Sequence, residues 1–159
     1  IRERVPGIVL RTTVMTGFPG ETQEDVNTLC EFLQEVRFER LGCFAYSAEE
    51  GTPAAFLPDQ VPEEEKRRRA DLVMEQQAFR TEEYQQAQIG KTVEVLAEAY
   101  DRYAESWFGR TQGDAPDIDG KIFIKSDSRL RLGQYITVEV FDTMDYDLLA
   151  EEVTDEPAE

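Results

Sequence analysis

The stretch "RTTVMTGFPGET", residues 11–22, constrains the fold of this chain more than any other. β-Branched and apolar residues from 8 to 16 read as a strand largely buried on both faces, and the run stops at Gly17-Phe18-Pro19-Gly20. Pro19 sets its own φ while Gly17 and Gly20 tolerate left-handed backbone, so the chain can reverse at once and lay a helix back on the sheet. Thr22 and Asp25 form a T-x-x-D capping pattern, and Val26, Leu29, Phe32, Leu33 and Val36 recur at helical spacing, predicting a helix to about Arg37. "LGCFAYS", 41–47, reads as a second strand. Strand, helix and strand in that order make one βαβ unit.

Gly51, Pro53, Pro58 and Pro62 then punctuate a loop. Pro62 suits the opening of a helix, Glu63, Glu64 and Glu65 suit its positive end, and Lys66 to Arg69 follow one turn later as a solvated, ion-paired face. Leu72, Val73, Phe79 and Tyr84 are the packing positions of this helix, which runs to about Gln88 and ends at Gly90. Five short runs follow: "KTVEVLAEAY", "RYAESWFGRT", "KIFIK", "QYITVEVFDT" and "YDLLAEEV". Their spacing predicts a small five-stranded antiparallel barrel of OB-like topology. Residues 154–159 read as a flexible tail. The fold class is therefore α/β plus all-β.

The 159 residues contain no histidine and carry a formal charge of −17. Without imidazole, serine–histidine and cysteine–histidine nucleophiles and His-ligated metal sites are excluded within the chain. Residues 1–88 hold 10 basic and 17 acidic side chains, net −7, and residues 89–159 hold 7 and 17, net −10. Phosphate backbones are bound through Lys and Arg, so a cationic protein is the better electrostatic partner than a nucleic acid. Cys30 and Cys43 match neither a zinc nor a CxxC spacing and read as reduced, largely buried thiols. "DAPDIDG", 114–120, lacks two principal carboxylates of a calcium loop and reads as an acidic turn. Tyr103, Trp107 and Phe108 could stack on bases but are expected in the barrel core. No run is long and apolar enough for a membrane span and no secretory signal is legible, which makes the cytoplasm the expected location. The first residue, Ile1, in "IRERVPGI" reads as a chain taken up part-way through a helix, hence as a piece of a longer protein.

"LRTTVMTGFPGETQEDV", "RFERLGCFAYSAEEGTPA", "LPDQVPEEEK", "FGRT" and "DAPDIDG" occur here in the order and approximate spacing of the methylthiotransferase branch of the radical SAM enzymes. Arg11-Thr12-Thr13, Glu49-Glu50 and above all "GRTQGDAPDIDG", 109–120, resemble the RimO type, which acts on a ribosomal protein. The resemblance implies residues 1–62 as the C-terminal portion of a radical SAM (β/α) barrel, 63–89 as a connecting helix and 90–153 as a TRAM domain. It implies methylthiolation of the β-carbon of an aspartate in the twelfth small-subunit ribosomal protein. That reaction needs S-adenosylmethionine and two 4Fe-4S clusters, one of which cleaves S-adenosylmethionine to a hydrogen-abstracting radical.

The cluster motif CxxxCxxC is absent, and two unrelated cysteines cannot replace it, so the chain alone is expected to bind no cluster, hold no catalytic residue and be inert. The resemblance implies Met15, Phe44 and Tyr46 as contacts of S-adenosylmethionine. It implies the basic ribosomal protein, free or in the assembled small subunit, as the partner of the acidic TRAM barrel. Two other readings stand beside it: a tRNA methylthiotransferase piece whose TRAM barrel binds RNA, and a stand-alone acidic interaction module.

Overall fold

The computed structural model of the protein describes residues 1–126 and 128–153. The tail expected at 154–159 lies outside the described residues. Two compact units divide the chain, residues 1–81 and 82–159.

In the first unit, β1 (Arg11–Thr16) and β2 (Arg40–Ala45) pair in parallel, with Met15 opposite Phe44. The connection between them is α1 (Gln23–Val36). Its capping box is in place: Thr22 Oγ1 accepts from the Asp25 N–H at 3.2 Å and Asp25 Oδ2 accepts from the Thr22 N–H at 2.8 Å. A short 3-10 helix, Pro53–Phe56, interrupts the loop after β2, and α2 spans Glu63–Gln86. Val26, Cys30 and Leu33 of α1 cluster with Val73 of α2, and Val14, Leu41 and Cys43 from the strands pack against them.

Three expectations for this unit need correction. The first strand begins at Arg11 rather than residue 8, because β2 starts only at Arg40 and earlier residues have no strand to pair with; the Leu10 N–H donates instead to Glu39 Oε2 at 2.8 Å. Nor is β1 buried on both faces. Its α1-facing side closes the core while Arg11, Thr13 and Met15 are exposed. Phe79, expected to pack, is exposed, since it lies six residues past buried Val73 and so roughly 240° around the helix. Of the expected (β/α) barrel, residues 1–81 contain this βαβ unit and close no barrel.

In the second unit all five expected strands form: β3 (Thr92–Asp101), β4 (Ser106–Arg110), β5 (Ile122–Lys125), β6 (Tyr135–Met144) and β7 (Asp147–Glu152). They close in the ring order β3-β4-β5-β7-β6, the arrangement of an OB-like barrel. The barrel is not wholly antiparallel, because β5 and β7 run parallel. An odd number of strands cannot close with every neighbour reversed. Val95, Ile122, Ile124, Leu130, Ile136, Val138, Val140 and Ala150 fill the interior. Register shifts between Ala97 and Ala99 and between Val140 and Asp142 bend the two long strands, letting each pair with two neighbours around the ring. Gly109 is required where β4 crosses β3, since a β-carbon there would run into Leu96 O and reach 2.8 Å from Val95 Cγ1.

Of the three aromatics expected in the core, Trp107 packs against it and Phe108 is half-buried, its ring centroid 6.2 Å from that of Phe123. Tyr103 is fully exposed. It stands at the tip of the β3–β4 hairpin, where the Asp101 carboxylate accepts the N–H groups of Tyr103 and Ala104 and holds the turn outward.

Candidate functional site

Where β1 ends, the chain folds over the first turns of α2. Gly17 takes φ 77° and Gly20 φ 85°, a region that suits glycine. A β-carbon on Gly17 would also run into the Lys66 side chain, within 2.8 Å of its Cβ, whereas Gly20 faces open space. The Gly17 N–H donates to Glu21 Oε1 at 2.7 Å, and the same oxygen accepts from Arg69 Nη1 at 2.7 Å. Arg69 Nη1 further reaches Glu21 O at 3.0 Å, and its Nε donates to Glu65 Oε1 at 2.8 Å. Glu21 is thus the hub that locks the glycine turn onto α2.

The basic run of α2 is not the solvated face expected of it. Arg67 and Arg68 are exposed, but Lys66 and Arg69 are 2% and 7% exposed. Positions 66, 69, 70 and 73 share one helical stripe, so these cations continue the apolar side formed by Ala70 and Val73. Lys66 Nζ donates to Glu63 Oε1 at 2.5 Å and lies 5.0 Å from the centroid of the Tyr46 ring, so its charge stays compensated. Burial alone lowers the Arg69 pKa, but Glu21 and Glu65 outweigh it and the net shift is upward. Hydrogen bonds from Arg68 and then Arg69 bring the Glu65 carboxyl down to about 2. Sequence reasoning missed Glu21, Lys66 and Arg69; the i, i+3, i+7 spacing of Lys66, Arg69 and Val73 was the available signal.

The structure brings two of the three expected ligand contacts together and sets the third apart. Met15 and Phe44 are register partners on the open face of the β1–β2 pair, both more than half exposed. Tyr46 is buried beyond the end of β2, its N–H donating to Thr16 O at 2.8 Å. Its ring meets Phe18 edge-on with centroids 5.2 Å apart. The Tyr46 hydroxyl is buried without a hydrogen-bond partner, so a polar atom waits there for one.

Burial pushes the Cys30 thiol up, and burial likewise pushes up Cys43, whose Sγ lies 4.0 Å from Thr16 Oγ1. Both are free and both belong to the apolar cluster beneath the sheet. Protonated thiols in such surroundings are poor nucleophiles and poor metal ligands. Among the described residues, no three His, Cys, Asp or Glu are grouped to hold a metal ion. In the acidic turn between β4 and β5, Asp114 Oδ2 accepts from the Thr111 N–H at 3.0 Å and Asp119 Oδ2 from the Ala115 N–H at 2.6 Å, binding their own loop. No helix among the described residues is long and apolar enough to cross a membrane.

Residues 89–153 match the TRAM domain family. The ribosomal protein uS12 methylthiotransferase RimO of Desulfitobacterium hafniense is 46% identical over 153 residues, covering 96% of this chain and 34% of the relative. The proteins of the same name from Clostridioides difficile and Anaeromyxobacter sp. (strain K) are 45% and 46% identical over 95% and 99% of this chain, again covering 34% of each relative. Over nearly its whole length the chain is similar to part of these RimO methylthiotransferases. It spans about a third of the length of the curated relatives it matches.

The two RimO-family cofactor types meet different fits here. Iron–sulfur clusters do not fit Cys30 and Cys43, which lie within a helix and a strand and face an apolar core. S-adenosylmethionine fits better: the open Met15–Phe44 face is an apolar platform suited to a planar base, and the orphaned Tyr46 hydroxyl lies beyond the end of the same strand.

Proposed function

We propose that this chain is the C-terminal part of a radical SAM methylthiotransferase that acts in the cytoplasm on an aspartate β-carbon of uS12. The observation that carries this reading is the 46% identity over 96% of the chain to a uS12 methylthiotransferase. S-adenosylmethionine and iron–sulfur clusters, the latter bound by other parts of the parent, supply the hydrogen-abstracting and sulfur chemistry when present. In this reading Met15 and Phe44 form one wall of the S-adenosylmethionine site, Tyr46 supports that wall from its enclosed position past the end of β2, and Glu21 with Arg69 holds the glycine turn that follows β1. Residues 1–62 are the barrel portion, 63–89 the connecting helix and 90–153 the substrate-recognising domain. Alone, the chain is inert.

Charge supports a protein substrate. Glu139 and Glu151 stand opposite each other on the outside of the barrel, and Glu94 is exposed on the adjoining strand β3. Two of the barrel's cations are spent internally, Arg110 on Glu98 at 2.6 Å and Lys125 on Glu151 at 2.9 Å. Such a surface repels phosphates and attracts a lysine- and arginine-rich protein.

Mass spectrometry of uS12 from cells with and without the gene tests the reading. The mass of one methylthio group in place of hydrogen on an aspartate disappears with the gene. A uS12 mass unaffected by deletion, with loss of a methylthio nucleoside from tRNA instead, overturns it.

A further inference from the structure

The geometry points to a docking lip for a lysine- and arginine-bearing polypeptide at the loop tips beyond β1 and β2, with Phe56 as its apolar anchor. This rests on the reading of a basic protein substrate and names the surface of residues 1–81 that receives it. The loop between Tyr46 and Val61 is pinned by those two buried residues. Its interior is hydrogen-bonded: Gln60 Nε2 donates to Ala54 O and Leu57 O, both at 3.0 Å, and Thr52 Oγ1 donates to Glu49 O at 2.8 Å. The Gly20 N–H donates to Asp59 O at 2.9 Å, tying this loop to the glycine turn that carries Phe18.

Despite that order, Phe56 is 80% exposed, and Leu57 and Phe18 are each 43% exposed. An aromatic ring held outward by a fixed loop loses little further conformational freedom when a partner covers it, which is the property of an interface anchor. Charge identifies the partner. Residues 47–61 contain Glu49, Glu50 and Asp59 and no lysine or arginine, and all three acids are exposed. A phosphate backbone is repelled by that rim, and a basic polypeptide with an apolar residue for Phe56 to pack against is attracted.

Calorimetric titration of the 159-residue chain with purified uS12 at about 0.15 M salt tests the lip. Phe56→Ala weakens binding about tenfold or more. The double variant Glu49→Gln, Glu50→Gln weakens it less and flattens its salt dependence. Unchanged circular dichroism and melting temperature establish that these exposed positions leave the fold intact. Glu94→Gln with Glu139→Gln on the barrel serves as comparison. Tight wild-type binding that Phe56→Ala leaves unchanged, or that only the barrel variant weakens, overturns the lip while the substrate reading stands. Absence of wild-type binding to uS12 overturns both. Tighter capture of tRNA than of uS12, weakened by Phe56→Ala, assigns the lip to nucleic acid and overturns the polypeptide.

Discussion

At Gly17 the φ of 77° and the Lys66 side chain each oppose a β-carbon, whereas at Gly20, with φ 85°, only the backbone does. Gly20→Ala is expected to cost about 1 kcal/mol, the penalty of a left-handed residue with room around it. Gly17→Ala adds the clash with a fully buried lysine and is expected to cost about 2–4 kcal/mol. Urea denaturation of the two variants checks this; equal midpoints show that Lys66 does not fix the turn. The glycines and Pro19 announce a tight βα turn in the sequence. The residue that Gly17 must clear lies 49 positions away, and nothing local identifies it.

In α2 the ion pairs bear on folding through Glu65, whose carboxyl the Arg68 and Arg69 guanidinium groups hold at about 2 against an ordinary 4.5. A depressed carboxylate stabilises fully above pH 4.5, and the contribution fades as pH falls towards about 2. The melting-temperature gap between wild type and Glu65→Gln is therefore full near neutral pH and closes across that acidic window. A gap that stays constant down to pH 2 contradicts the assignment. Element by element, local signals were strong: the Thr22–Asp25 box starts α1, Pro62 precedes α2, and alternation marks the five barrel strands. The charge run at 66–69 misled because helical charge pattern reports which side chains can pair along the helix. Which of them a neighbouring strand end covers is a tertiary matter.

At the scale of the whole molecule, the closed barrel has its own apolar core and contacts, so residues 82–159 are expected to unfold cooperatively by themselves in calorimetry. Within that fragment, Ile124→Ala is expected to cost about 2–5 kcal/mol, and a loss under 1 kcal/mol in urea denaturation shows a core looser than its packing. By itself the sequence determined the order and type of the elements, the βαβ unit, the five barrel strands and the acidic surface. Those follow from periodicity, turn residues and composition, which act over a few neighbouring positions. Only the tertiary structure decided that β5 and β7 run parallel, that Lys66 and Arg69 are buried around Glu21, and that Tyr46 is enclosed while Met15 and Phe44 stay open. Ring closure with five strands and the covering of one sheet face depend on contacts between residues far apart in the chain, and no local pattern of side chains encodes them.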